Sequence, residues 1–152
     1  MIAVTATYDI LFALHIAGAL ATLVVLITLR TNASGAASGS TSGEELRRRY
    51  PDRPNLAARV IHVMPLTGLI MALTGDSSVS LRQPWVGTGF ALYLVAAFWL
   101  EARTLPVERE IARAVQSDAS ADVATTASRL GRQLDVVLTL VAATLLVMIV
   151  QF

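Results

Sequence analysis

Four long runs of apolar residues divide the chain, and polar segments separate them. A bilayer core about 30 Å thick needs about 20 apolar residues in a helix, and each run has about that length. The pattern predicts an all-α fold, a transmembrane four-helix bundle that forms a single membrane domain over residues 1–152. We expect the helices at about residues 8–29, 57–75, 84–105 and 133–152.

The two long polar segments differ in character. Residues 31–42, with the sequence TNASGAASGSTS, consist of small residues and predict a flexible cytoplasmic linker. Between helices three and four, Pro106 followed by Glu108 and Glu110 is typical of a helix start. Scattered apolar positions follow, so this segment favours a short amphipathic helix at the cytoplasmic surface.

The positions of the arginines predict the orientation. Eleven of the twelve lie in or beside the two long segments, and only Arg82 lies in the short connection between helices two and three. By the positive-inside rule the long segments are cytoplasmic and both termini are outside. Because topology and anionic lipid explain these arginines, no nucleic-acid partner is expected. All basic residues are arginine, which suggests a GC-rich bacterial genome and hence a multi-pass protein of the bacterial cytoplasmic (inner) membrane.

Composition removes several kinds of chemistry. Hydrophobic residues make up 55% of the chain and the mean hydropathy is +0.62, which is too apolar for an ordinary soluble domain. The absence of cysteine excludes disulfides, thiolate metal sites and cysteine nucleophiles, and the absence of lysine excludes Schiff-base chemistry. We find no nucleotide-binding, zinc-hydrolase or Ser/His/Asp pattern, and therefore predict no catalytic residue and no metal site.

His15 is the first of two histidines that could act as nitrogen ligands. Gly18, Ala19 and Thr22 follow it at helical spacing, so all four share one face and His15 should point at other helices rather than at lipid. Two interpretations stay open. His15 is either a neutral imidazole hydrogen-bonded across a helix contact of small residues, or a cofactor ligand or proton relay.

The second helix carries the other histidine, His62, shortly before Pro65. A proline at this position cannot donate to the carbonyl of Ile61, so we expect a kink that serves either packing or a polar pocket. Small residues follow at helical spacing and predict close contact with another helix. They are Gly68, Ala72 and Gly75.

Charged residues and His62 should gather at the cytoplasmic ends of the helices. This predicted inner polar layer comprises Arg59, His62, Glu101, Arg103, Arg132 and Asp135. It serves either as a set of salt bridges and snorkelling side chains or as a site for a small molecule, a proton or a partner.

Several short motifs resemble those of a known family. They are LHIAG at residues 14–18, PLTG at 65–68 with LTG at 73–75, LYLV at 92–95 and LPVER at 105–109. The chain resembles short bacterial four-span proteins of a predicted integral membrane family (domain of unknown function 2269). That family is similar to the membrane part of copper-resistance D proteins and to haem-containing membrane protoporphyrinogen oxidases. In the oxidases an early histidine of the first helix binds haem, so the resemblance implies that His15 would bind haem b.

Three functions fit these observations. The leading interpretation is a non-enzymatic integral membrane scaffold or accessory subunit that packs in the bilayer with itself or with a larger membrane complex. The first alternative is a haem-binding membrane redox protein that uses His15. The second is a small transporter or channel that uses the inner polar layer. Apart from the resemblance, the residues themselves leave the cofactor open.

Overall fold

The computed structural model describes residues 2–53, 55–74, 82–117 and 122–151, with side chains from residue 7 onward. Every regular element in these ranges is helical, which confirms the predicted all-α fold. Four of the helical stretches are long and apolar enough to cross a membrane. The chain is therefore a multi-pass membrane protein built as a four-helix bundle.

The helical elements of the described chain are six α-helices, one 3₁₀ turn and one π turn. The helices are α1 Ile2–Ala37, α2 Gly43–Arg49, α3 Val63–Thr74, α4 Pro84–Trp99, α5 Leu105–Gln116 and α6 Val123–Val150. A 3₁₀ turn, Ala57–His62, precedes α3, and a π turn, Leu100–Thr104, joins α4 to α5.

Helix α1 is longer than the apolar run that predicts it. It continues to Ala37, so the expected flexible linker over residues 31–42 is wrong for its first seven residues. Ala33 and Ala36 are buried in the core, and this packing stabilises a helix that small polar residues alone would leave marginal. The chain turns at Gly39, whose φ of +68° lies in the left-handed region that favours glycine.

The second crossing begins as a 3₁₀ turn and becomes α-helical at Val63. Pro65 lies in the first turn of α3, where it has no N–H group to donate to the carbonyl of Ile61 in the preceding 3₁₀ turn. The predicted irregularity at Pro65 thus takes the form of a change of helix type. Of the stretch predicted for this helix, Gly75 lies outside the described residues.

The third crossing passes through the π turn into α5. In a regular helix Pro106 would collide with the carbonyl of Ala102, and the wider π turn accommodates the proline ring. Residues 84–116 exceed what a bilayer core requires, so the charged helix α5 lies beyond the apolar core. Helix α5 is amphipathic as predicted, and its apolar side, which includes Ile111 and Val115, is buried in the protein core rather than turned to lipid.

Helix α6 starts at Val123, well before residue 133 where the apolar run begins, because Ala127 and Leu130 extend its buried side towards α5. It is the central element of the bundle. Helices α1 and α4 both pack along it, and α3 packs along α1.

Large apolar side chains cover the outside of the bundle, where a bilayer would contact them. Phe12, Leu20, Phe98 and Leu146 are all exposed. Four crossings bring the start of α1 and the end of α6 to one end of the bundle. We call the opposite end, which holds α2, the 3₁₀ turn and α5, the arginine-rich end.

Candidate functional site

His15 links α1 to α3 in the middle of the apolar run. Its Nδ1 lies 2.8 Å from the carbonyl oxygen of Met64 and 3.1 Å from Oγ1 of Thr67. A carbonyl can only accept, so Nδ1 donates and carries the proton. In the neutral ring the lone pair is then on Nε2.

Small residues let α1 and α3 approach closely around this hydrogen bond. A Cβ atom on Gly68 would lie 3.1 Å from Cε1 of His15, and one on Gly18 would lie 3.0 Å from Cγ1 of Val63. Ala19 and Thr22 are buried on the same side of α1, and Oγ1 of Thr22 donates to the carbonyl of Gly18 at 2.8 Å. We call this contact the α1–α3 seam.

Of the small residues predicted to bring α3 close to a neighbouring helix, those beyond Gly68 contribute less to the seam. Ala72 is half-buried, and Gly75 lies outside the described residues. The residues that sequence analysis did not single out are Met64 and Thr67, which provide the hydrogen-bond partners of His15. Only a backbone oxygen and a hydroxyl are involved, and neither is distinctive in a sequence.

Glu101 is the centre of the first part of the predicted inner polar layer. It lies in the π turn, where Nε of Arg59 is 3.2 Å from its Oε1 and Nε2 of His62 is 3.5 Å from the same oxygen. The other ring nitrogen of His62, Nδ1, is 2.7 Å from the hydroxyl of Tyr93. These four residues, the Glu101 cluster, join the 3₁₀ turn to α4 and the π turn.

Asp135 belongs to a different contact. Its Oδ1 is 2.7 Å from Nε of Arg30, and its Oδ2 is 3.3 Å from Nη2 of the same arginine, a bidentate pair between α1 and α6. The side chain of Arg30 is 37% exposed and that of Asp135 is 53% exposed. In the sequence Arg30 is explained by topology alone, although its place at the end of the first apolar run is the signal that could have revealed the pair.

The remaining two members of the predicted layer stand apart. Arg103 and Arg132 are exposed, and within the described ranges neither makes a side-chain hydrogen bond or ion pair. The six residues therefore do not form one site. They divide into the Glu101 cluster, the Arg30–Asp135 pair and two solvated arginines.

A cavity of about 420 Å³ lies at the arginine-rich end, between α5 and the chain that joins α2 to the 3₁₀ turn. We call it the basic cavity, because five arginines line it: Arg48, Arg49, Arg53, Arg59 and Arg109. Tyr50, Asn55 and Glu108 also contribute to its wall. The sequence does not predict this cavity, since its arginines come from separate segments and topology is a sufficient explanation for each.

Two titratable groups of the cavity are perturbed by burial. Burial raises the pKa of Tyr50, and the charge of Glu108 raises it further although Arg49 opposes both. Burial likewise raises the pKa of Glu108. A hydrogen bond from Nδ2 of Asn55 at 2.7 Å and the charge of Arg109 act in the opposite direction and lower this pKa. Tyr50 is only 2% exposed and its hydroxyl has no hydrogen-bond partner among the described residues.

The described histidines and carboxylates do not gather into a metal-binding group of three. Both nitrogens of His62 are engaged in the Glu101 cluster. His15 offers a single unprotonated nitrogen. Chemically, the described residues provide hydrogen bonds and ion pairs between helices, the lone pair of His15 and the basic cavity.

Comparison with known proteins does not extend these observations: no family model, no curated protein and no solved structure matches the chain.

Proposed function

We propose that the chain is a non-catalytic integral membrane scaffold or accessory subunit, which packs within the bilayer with itself or with a larger membrane complex. The observation that supports it is that polar side chains along the crossings are used to join helices. His15 binds the backbone of α3, His62 binds Tyr93 and Glu101, and Arg30 binds Asp135.

A catalytic or transport site needs polar groups that converge on a substrate or on a path for it. Here the paired groups face one another and lie in separate contacts between different helices. The protein surface available to partners within the bilayer is instead apolar, with exposed side chains on α1, α4 and α6. This arrangement favours lateral packing over chemistry.

The orientation that we propose places the arginine-rich end in the cytoplasm of a bacterium and both termini outside the cytoplasmic membrane. It rests on the positive-inside rule. Single cysteines at Ser40 and at Gln151 test it with a membrane-impermeant thiol reagent. Gln151→Cys should react in intact cells and Ser40→Cys only after permeabilisation; the reverse pattern would overturn the orientation.

The natural absence of cysteine makes cross-linking a direct test of the scaffold proposal. Lipid-facing positions on three helices, Ile16→Cys, Phe98→Cys and Leu146→Cys, are introduced one at a time and oxidised or cross-linked in native membranes. We expect one of these faces to yield a discrete adduct, either at twice the 16.2 kDa monomer mass or with a heavier protein.

A buried cysteine provides the matched control. Val137 lies inside the bundle, so Val137→Cys should give no adduct with another chain. If all three lipid-facing variants behave like this control at native abundance, the chain has no lateral partner and the scaffold proposal fails.

The second candidate is haem binding, and the geometry of His15 favours it over transport. Because Nδ1 donates to the carbonyl of Met64, Nε2 has the lone pair that a metal ligand needs, and such a hydrogen bond from the other ring nitrogen is usual for metal-ligating histidines. His15 would therefore hold the haem, which would supply electron-transfer chemistry when bound. His62 would not hold it, since both of its nitrogens have partners in this chain.

An absorption spectrum separates the two candidates. If haem is bound, His15→Ala should abolish the haem band in protein purified from its native membrane, whereas His62→Ala should leave it. A colourless wild-type protein purified from haem-replete cells rules out the haem candidate. Loss of the band in both folded variants would show that His62 is also a ligand.

A further inference from the structure

The basic cavity is the feature that the scaffold proposal does not use. It is lined by the end of α2 and the chain that follows it on one side and by the start of α5 on the other. Polar segments that directly follow an apolar crossing are expected at the level of the lipid headgroups. The cavity volume of about 420 Å³ falls within the range of small-molecule sites.

The five arginines of the cavity differ in how far protein carboxylates neutralise them. Arg48 and Arg49 both contact Glu45, and Arg59 contacts Glu101. Within the described part of the chain, Arg53 and Arg109 make no side-chain hydrogen bond or ion pair. The cavity thus has two guanidinium groups whose donors are available to a ligand.

Glu108 is the carboxylate that lines the cavity, and its surroundings limit how strongly it opposes an anion. It accepts a hydrogen bond from Asn55, and burial raises its pKa, so the protein already disfavours its charged form. One partly buried carboxylate then faces several arginines. The balance of charge in the cavity is positive.

Tyr50 provides an independent sign of a missing ligand. It lines the cavity and is almost fully buried, yet its hydroxyl has no hydrogen-bond partner among the described residues. An unsatisfied buried hydroxyl is costly in a native protein, and such groups usually find a partner. The hydroxyl oxygen is covered by the surrounding atoms, so a small shift of the cavity wall would be needed before it donates to the oxygen of a ligand. Burial raises the pKa of Tyr50, so the hydroxyl keeps the proton that it would donate.

We propose that the basic cavity binds a phosphate group, held by Arg53 and Arg109 and by the hydroxyl of Tyr50. Guanidinium groups match phosphate oxygens in geometry and charge, and a tyrosine hydroxyl adds one neutral donor. The phosphate belongs either to the headgroup of an anionic phospholipid or to a free phosphoanion. Both share the chemistry that the cavity recognises.

Binding is measured as the rise in the thermal midpoint of the full chain, purified in an alkyl maltoside that contains no phosphate. One arm adds inorganic phosphate and the other adds phosphatidylglycerol to the micelles, each against sodium chloride at equal ionic strength. Stabilisation by phosphatidylglycerol alone assigns the site to a lipid headgroup. Stabilisation by inorganic phosphate assigns it to a free phosphoanion.

Two arginines on α5 make a matched pair of variants. Arg109 lines the cavity, whereas Arg113 is exposed one turn further along the same helix and does not. Arg109→Ala should weaken the apparent affinity about tenfold, the effect of losing one charge-assisted hydrogen bond. Arg113→Ala removes the same charge and should change it less than about twofold, as expected for loss of a screened charge alone.

Tyr50→Phe tests the hydroxyl without removing charge. It should weaken phosphate binding by about threefold to tenfold, while leaving the midpoint of the ligand-free protein unchanged or higher. The proposal is overturned if neither phosphate source stabilises the wild type. It is equally overturned if Arg109→Ala and Arg113→Ala behave alike, or if Tyr50→Phe binds both sources as the wild type does.

Discussion

The α1–α3 seam and the arginine-rich end use similar residue types in opposite ways. Each contains one histidine. His15 is half-buried and binds a backbone oxygen, whereas His62 is exposed and binds a tyrosine hydroxyl and a carboxylate. Around His15 the neighbours are glycines that bring two helices together, and around His62 they are charged side chains.

This difference predicts which kind of change each region resists. In the seam, polar groups are few and satisfied, so stability depends on volume and close approach. At the arginine-rich end, the ion pairs are partly exposed, so each contributes little and depends on salt and pH. Substitutions that add volume should therefore be costly in the seam, and substitutions that change charge should be mild at the other end.

The largest effect is expected for Gly18→Leu. Even a Cβ atom at this position would lie 3.0 Å from Cγ1 of Val63, so a leucine would force α1 and α3 apart and cost about 1–3 kcal/mol of unfolding free energy. Gly87→Leu is the control, because a Cβ atom there has no neighbour within 4 Å. Unfolding in detergent gives the free energy of unfolding of both variants. An equal decrease in the two would mean that the seam is not closely packed.

A smaller loss is expected for His15→Ala, which removes the hydrogen bond to Met64. One such bond contributes about 1 kcal/mol, and Thr67 keeps its own bonds to the carbonyls of Val63 and Met64. His62→Ala should cost less, since its ring is exposed to solvent. A greater loss for His62→Ala than for His15→Ala in the same unfolding assay would reverse the comparison between the two regions.

Asp135→Asn should have a modest effect that depends on salt. The Arg30–Asp135 pair is partly exposed, so its loss should cost about 0.2–1 kcal/mol and less as ionic strength rises. Asp52→Asn is the control, because Asp52 is exposed and makes no ion pair within the described residues. Identical thermal midpoints for the two variants at low salt would show that the pair does not contribute to stability.

The smallest effect concerns Glu108 and pH. Its folded pKa is raised above the ordinary value of 4.5, so the folded protein binds this proton more tightly than the unfolded chain does. The stability that this proton contributes is fully present below pH 4.5 and is lost as pH rises through the folded pKa.

Glu108→Gln keeps an acceptor for Asn55 but cannot ionise. We expect its thermal midpoint to exceed that of the wild type near neutrality and the difference to vanish towards pH 4.5. Ligand-free protein in phosphate-free buffer is used, so that the proposed phosphate does not contribute. A difference that grows as pH falls would contradict the raised pKa.

Much of the fold follows from simple properties of the chain. The four apolar runs predict the four crossings, and Pro106 with its acidic neighbours predicts a helix where α5 begins. The boundaries fail where tertiary contacts decide them. Residues 31–37 carry no apolar run, yet they are helical because Ala33 and Ala36 are buried.

The candidate sites were less predictable than the helices. Periodicity places His15 on one face with Gly18, Ala19 and Thr22, but it cannot name Met64 as the hydrogen-bond partner, since any backbone has the same oxygen. The basic cavity is harder still. Arg53 and Arg109 are far apart in sequence, and only the packing of α5 against the rest of the chain brings them to one cavity.

The sequence by itself determined that this protein resides in a membrane, because burying about 20 consecutive apolar residues in lipid outweighs any single contact. It also determined which end of the bundle carries the arginines. Tertiary structure alone decided which polar residues form pairs. Asp135 pairs with Arg30, and Glu101 pairs with Arg59 and His62. Arg103 and Arg132 remain exposed to solvent. The physical reason is that the two kinds of interaction act over different separations along the sequence. Lipid solvation acts on each segment separately, whereas an ion pair or a cavity exists only when helices distant in sequence reach a particular register.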